Sequence, residues 1–170
     1  MTRVAVVGNA GGGKSTMCRT LSAALQLPMY PIDQLQWKPG WVPTPLDEFT
    51  RQHTDLITRE RWIIDGWGPW DMMTDRFKAA DTIILVDHAV YVHYWWAIKR
   101  QFMTLFRPRP DGLHGCPMLP MTWQLLKMIW RIQMDARPQL LQLVDSFRHQ
   151  KRIIHIRSPH ELRQFVQQYS

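Results

Sequence analysis

The chain has 170 residues, 45% of them hydrophobic and 21% charged, which is the composition of an ordinary globule with room for one sizeable core. Two cysteines, Cys18 and Cys116, are too few for a disulfide framework or a cysteine-based zinc site, and both are expected as free thiols. The +7 net charge is concentrated late: residues 1–97 hold 9 Lys and Arg against 10 Asp and Glu, whereas residues 98–170 hold 12 against 4, so the second half favours nucleic acid, an anionic surface or a polyphosphate ligand.

The first predicted element is a strand at residues 4–7. Its apolar run stops at Gly8, too short for a signal-peptide core or a membrane span, so a cytoplasmic location and no membrane partner are expected. The run opens into Gly8, Asn9, Ala10, Gly11, Gly12, Gly13, Lys14 and Ser15, which fits the phosphate-loop pattern G-x-x-x-x-G-K-[ST] in its required place between a strand and a helix. Such a loop wraps a phosphate so tightly that backbone N–H groups point inward, and a Cβ would obstruct several of the conformations involved. The N-terminus of the following helix, residues 14–25, adds partial positive charge. In this setting Lys14 reaches the β- and γ-phosphates, Ser15 offers a hydroxyl to Mg²⁺ and Thr16 lies toward the α-phosphate, so ATP and Mg²⁺ are the expected cofactors.

A second strand, residues 29–32, leads to Asp33. Prolines at 39, 43 and 45 make residues 38–45 an irregular loop, after which residues 46–58 have amphipathic helical spacing. The segment between about 34 and 60 therefore reads as an acceptor-side insertion. A third strand, residues 62–64, ends at Asp65 within Trp-Ile-Ile-Asp-Gly-Trp-Gly, and a fourth, residues 82–86, ends at Asp87. All three aspartates fall where carboxyl ends of parallel strands bind ligands. Asp65 suits a metal, or else caps a turn; Asp33 suits an acceptor hydroxyl, or else forms a turn after Pro31; Asp87 reads as a cap for the helix after it.

Long helices are expected at 88–106 and 121–147, separated by a Pro/Gly-rich lid at about 107–120, before a fifth strand at 153–156 and a closing helix at 160–169. Arg107 and Arg109 in the lid, with Arg131 and Arg137 on the next helix, are placed to follow charge spreading over a transferred phosphoryl group, or are solvated surface charges. Tyr91, Tyr94, Trp95, Ile98 and Phe102 have the spacing of a packing face. Alternating strands and helices imply a single α/β domain over residues 1–170, a three-layer sandwich around a five-stranded parallel sheet.

This order of parts resembles that of the nucleoside-monophosphate and shikimate kinase group of P-loop proteins, whose sheet runs 2-3-1-4-5. The segments PIDQLQWKPGWVPTP, WIIDGW, DRFKAADTIILVD, HGCP and DARPQLLQL are similar to those of the small P-loop proteins called DNA topology modulation proteins, also described as adenylate-kinase-related. The resemblance implies a kinase with Gly8 to Thr16 as its phosphate loop, Asp33 and Asp65 as its strand-end carboxylates, and Arg76 as an acceptor-side arginine. Where that family usually has Asn-Tyr after Ile-Asp-Gly, this chain has Trp67-Gly68-Pro69-Trp70.

The expected activity is transfer of the ATP γ-phosphoryl to a nucleotide or small hydroxylated metabolite. Lys14, Asp33, Asp65, Arg107 and Arg137 are the expected catalytic residues, and Ser15 and Asp65 the metal ligands. Arg109 and Arg131 join the phosphate loop in holding nucleotide, while Asp33, Trp37, Gly66, Trp67 and Arg76 face the acceptor. The tryptophans either stack on an acceptor ring or pack internally. The alternative is a nucleic-acid-binding NTPase or regulator of DNA topology, motivated by the basic second half and the aromatic helix carrying Lys99 and Arg100. Oligomeric state is left open by the sequence.

Overall fold

The computed structural model describes residues 1–104, 115–117 and 119–169. Five parallel strands form the central sheet: β1 (Arg3–Gly8), β2 (Met29–Pro31), β5 (Trp62–Asp65), β6 (Thr82–Val86) and β7 (Arg152–Ile156). Their spatial order is β2-β5-β1-β6-β7, which, counted among these five alone, is 2-3-1-4-5. The missing numbers belong to a separate hairpin, β3 (Trp37–Lys38) and β4 (Val42–Pro43).

Strand side chains alternate between two cores, as the two-residue period of a β-strand requires. Val4, Val6, Ile63, Ile84 and Ile156 face α1 (Lys14–Leu25) and α8 (Pro159–Gln167), where Met17, Leu21 and Leu162 meet them. Ala5, Val7, Ile64, Ile83 and Leu85 face α3 (Leu46–Thr58), α4 (Trp70–Ala79) and α7 (Arg137–Ser146), represented by Phe49, Phe77 and Leu140. Burying one large apolar side chain contributes about 1.5–3 kcal/mol. Two continuous cores of this kind hold the sheet firmly enough to carry strained loops at its edge.

The register brings the carboxyl ends of the strands together, pairing Val6 with Asp65, Gly8 with Val86 and Pro31 with Asp65. Ligand-facing residues are thus gathered at one edge of the sheet.

Four expectations change. The strand expected over residues 29–32 ends at Pro31, and a short helix, Ile32–Gln36, begins there, which places Asp33 on a helix and not at a strand end. Residues 38–45 are not irregular throughout, because Trp37 pairs with Pro43 and Lys38 with Val42 in the short hairpin. The helix expected from residue 88 begins two residues later as α5 (Val90–Thr104), leaving His88 and Ala89 in the connection from β6. The long helix expected at 121–147 is present as α6 (Thr122–Arg131) and α7, joined by a π-helical turn, Ile132–Ala136. Pro138 supplies the reason for that turn: it has no N–H and its ring crowds the carbonyl four residues back, so the helix widens just before it.

Candidate active site

The phosphate loop joins β1 to α1. Lys14 folds back over it, its ammonium donating to the carbonyl of Asn9 at 2.8 Å. Ser15 Oγ donates to Asp65 Oδ2 at 2.9 Å, linking the start of α1 to the end of β5. The other carboxylate oxygen of Asp65, Oδ1, is buried without a hydrogen-bond partner. Burial raises the Asp65 pKa, with Lys14 and the Ser15 hydrogen bond opposing that rise and Asp33 adding to it. Three of the expected residues, Lys14, Ser15 and Asp65, are therefore in one cluster, and Asp33 influences it from α2 (Ile32–Gln36).

A hydroxyl and a carboxylate with one unmet oxygen form a hard-oxygen set that fits Mg²⁺, which takes one or two protein oxygens and leaves other positions to water and phosphate. No group of three or more His, Cys, Asp or Glu side chains arranged to hold a metal occurs among the described residues.

Both α5 and α6 are tied to the phosphate loop. The side-chain amide of Asn9 donates to the Ile129 carbonyl of α6 at 2.9 Å. On α5, His93 Nδ1 lies 2.9 Å from the Ala10 carbonyl oxygen, a contact that calls for a protonated Nδ1 and leaves Nε2 as the unprotonated, unpartnered nitrogen. His88 stacks beside His93 with ring centroids 5.6 Å apart. Sequence reading missed these histidines, whose only signal was two histidines in the segment directly after a strand end.

On the acceptor side Arg76 is wholly enclosed, with 0% exposure. Its Nη1 donates to the Gly66 carbonyl at 2.8 Å and its Nε to His53 Nε2 at 3.3 Å. Burial lowers the Arg76 pKa to about 10, which still leaves it charged at neutral pH. In this conformation Arg76 holds the Gly66 carbonyl and His53 from a buried position, with Nη2 beside Gly68 and without a hydrogen-bond partner. His53 is a second residue that sequence reading missed, since at helical spacing with Phe49 and Leu56 it reads as part of an apolar face.

Trp67 packs against the sheet core and meets Trp70 edge to face at 5.6 Å. Trp37 similarly meets Trp41 at 5.7 Å, and the indole of Trp41 donates to the Pro117 carbonyl at 3.0 Å. Gly40 N–H also donates to the Gly115 carbonyl at 2.8 Å, so the β3–β4 hairpin is bonded to the segment 115–117.

Of the four expected arginines, Arg107 and Arg109 lie outside the described residues. Arg131 is exposed at the end of α6. Arg137 is committed elsewhere: Nε and Nη2 donate to the two oxygens of Asp87 at 2.6 and 2.8 Å, with His155 Nε2 on the same carboxylate at 3.1 Å. Asp87 is consequently not a cap for α5, as expected, but an anchor binding α7 and β7 to the end of β6. Burial works against its charged form, yet the hydrogen bonds from Arg137 and His155 outweigh it and hold its pKa below the ordinary value. Beside this anchor a groove of about 920 Å³ opens between α7 and the edge strand, lined by Arg137, Arg148, His155 and Arg157.

Burial also keeps three histidines neutral. It lowers the pKa of His53 to about 4, helped by Arg76, and that of His93 to about 4, with Lys14 assisting; His88 is lowered as well. A lowered histidine pKa means that between the ordinary 6.5 and about 4 the unfolded chain binds protons that the folded protein refuses. Stability is therefore expected to be constant above that window and to fall as pH drops through it. Thermal melts at closely spaced pH values of Asp65→Asn, which removes the buried carboxylate that opposes the histidines in this range, would check this, and a flat midpoint from pH 6.5 to 4 would count against neutral buried imidazoles.

The sheet order, the phosphate loop and the flanking helices define a shikimate-kinase-like P-loop fold. The chain is similar to a shikimate kinase from Acinetobacter baumannii in complex with shikimate, with a TM-score of 0.60 and 14% identity over 99% of this chain and 90% of that one. A sugar kinase from Janibacter sp. gives a TM-score of 0.51 and 14% identity, covering 99% and 94% of the two chains. A putative kinase from Chloroflexus aurantiacus gives 0.52 and 13%, covering all of both. No protein-family model matches the sequence. No curated protein matches it either. Among the described residues no helix is long and apolar enough to cross a membrane.

Proposed function

We propose that this protein is an ATP-dependent phosphotransferase acting on a small acceptor, a nucleotide or hydroxylated metabolite. The observation that carries the reading is the cluster of Lys14, Ser15 and the buried, half-satisfied carboxylate of Asp65 at the mouth of the phosphate loop. Loop amides and Lys14 hold the triphosphate, and the Lys14 ammonium, released from the Asn9 carbonyl, follows charge onto the transferred group. Ser15 and Asp65 would hold Mg²⁺, which when bound neutralises charge between the β- and γ-phosphates. Asp33, at the edge of the same cluster, orients or deprotonates the acceptor hydroxyl. The structural neighbours, a shikimate kinase and a sugar kinase, support a small-molecule acceptor. The likeness to adenylate-kinase-related topology modulation proteins supports a nucleotide within that range.

Arg76 and His53 fix the acceptor loop, and the tryptophans of the insertion close its side. Arg107, Arg109 and Arg131 supply further cations to the donor side. The test is ADP release from ATP and Mg²⁺ with a panel of nucleosides, nucleoside monophosphates and small hydroxylated metabolites. At least one compound is expected to raise release well above that of Lys14→Ala; no response from any of them would remove the support for transfer.

The second reading, a nucleic-acid-binding NTPase, is favoured by the exposure of Tyr91 and Trp95 on a helix that also carries Lys99. Retention on duplex DNA that falls steeply from low to moderate salt would support it, and no retention at low salt would dismiss it.

A further inference from the structure

Helices α5 and α6 form a hairpin whose inner seam is well packed and whose outer side is not. Tyr94 Oη lies 3.4 Å from the Leu126 carbonyl, and Gln101 Nε2 donates to Thr122 Oγ1 at 3.1 Å, so rising numbers on α5 meet falling numbers on α6 and the helices are antiparallel. Ala97, Leu125 and Ile129 fill the seam. About a quarter turn from it, in the sense of each helix, lie Tyr91, Trp95 and Ile98 on α5 and Trp123 and Trp130 on α6, with Met134 following in the π-helical turn. Because the helices point opposite ways, these two quarter turns emerge on the same side of the hairpin. The six side chains are 49–72% exposed.

The expectation that Tyr91, Trp95, Ile98 and Phe102 pack internally is therefore corrected, since all four are exposed and only Tyr94 turns toward the seam. An exposed apolar layer of this size marks an interface.

We propose that the occupant of this face is a second copy of the chain, the two hairpins meeting about a two-fold axis as a four-helix layer. Spacing is the first argument. Tyr91, Trp95 and Ile98 follow one another by four and three, and Trp123, Trp130 and Met134 fall on a four-three-four row with Lys127, the period that fits another helix rather than a flat surface. Area is the second. At the observed exposures the six side chains offer on the order of 800 Å², and a partner in a standard-size interface contributes about 800 Å². An isologous pairing uses the same patch twice and closes, leaving no apolar face behind.

Charge then separates this occupant from the others. Residues 90–104 and 119–136 include the basic side chains Lys99, Lys127 and Arg131 and the acidic Asp135. Two such hairpins repel at their rims, so screening by salt strengthens the pair, whereas an anionic lipid surface or a nucleic acid would be held less tightly as salt rises.

Sedimentation velocity of the full chain over about 1–100 µM tests the proposal, a range in which interfaces of this size associate. The expected result is a species of twice the 20.2 kDa chain mass. Association should tighten between about 0.05 and 0.5 M salt. Trp95→Glu and, separately, Trp130→Glu should each weaken it by about 30-fold or more, with circular dichroism unchanged because both side chains face solvent in the single chain. A monomer at every concentration would overturn the proposal. So would a dimer indifferent to both substitutions, or a monomer that binds phosphatidylserine vesicles or single-stranded oligonucleotide through Trp95.

Discussion

Replacing Asp65 with asparagine is expected to impair the proposed phosphoryl transfer severely and, at neutral pH, to make the protein more stable. The carboxylate ends β5 in a buried position, accepts from Ser15 through one oxygen and leaves the other without a partner. Burial raises its pKa above the ordinary 3.8, and the attraction of Lys14 and the Ser15 hydrogen bond only partly offset that. For a carboxyl whose folded pKa is raised, the sign is the reverse of an ordinary salt-bridged aspartate. Between 3.8 and the raised value the folded protein holds a proton that the unfolded chain has released, so stability is present at low pH and lost as pH rises through that window. Above it the ionised carboxylate is a standing cost to the folded protein. Asparagine has similar shape, accepts from Ser15 and carries no charge. Its thermal midpoint should exceed that of wild type near neutral pH, by about 1 kcal/mol of stability, and the gap should close on acidification. Transfer should fall by at least about 100-fold. A neutral-pH midpoint below wild type would show that Asp65 is an ordinary structural anchor.

The same residue illustrates which features of this protein are legible in its sequence. Gly8 to Thr16 and Asp65 could be placed because strand, glycines, lysine and hydroxyl are contiguous and a strand-end aspartate needs only its own strand, whereas Asp33, expected at a strand end, lies in the first turn of α2. The five strands were readable for a related reason, since a parallel sheet buried on both faces demands unbroken apolar runs such as Thr82–Val86. Residues whose partners are remote were not. Arg137 and Asp87 are 50 positions apart and each had a reasonable local role, as lid donor and as helix cap, that their bidentate pairing replaces. His53 and Arg76 are 23 apart, and nothing local distinguishes a histidine that accepts from a buried guanidinium from one that fills an apolar face. The hairpin at Trp37–Lys38 and Val42–Pro43 was hidden by its prolines, which usually argue against strands but are tolerated in an edge ribbon two residues long. The exposed stripe on α5 was misread because helical spacing reveals that a face is apolar without saying which molecule covers it.

Gly8→Ala should be the most damaging single methyl group in the phosphate loop, and the reason lies in the sheet rather than in the nucleotide. Gly8 ends β1 opposite Val86 of β6 and has φ of +145°, a conformation that side chains rarely adopt. A Cβ built there would stand 2.1 Å from the Val86 carbonyl oxygen and 3.0 Å from its carbon, and these are backbone atoms in the centre of a five-stranded sheet, unable to yield without breaking the β1–β6 register. Gly40 supplies the comparison. Its φ of +79° is also left-handed, but a Cβ would meet only a methyl of Val42 at 4.0 Å, so Gly40→Ala carries the backbone strain without the collision. That strain alone costs about 1 kcal/mol. Collision with the sheet should bring Gly8→Ala to about 3 kcal/mol or more, a large share of the roughly 5–15 kcal/mol that stabilises a domain. Urea unfolding of both variants would measure the difference at unchanged slope. Equal midpoints would mean that the β1 terminus can shift away from Val86, and the loop would then owe its shape to the ties from Asn9 and His93 instead of to the strand that launches it.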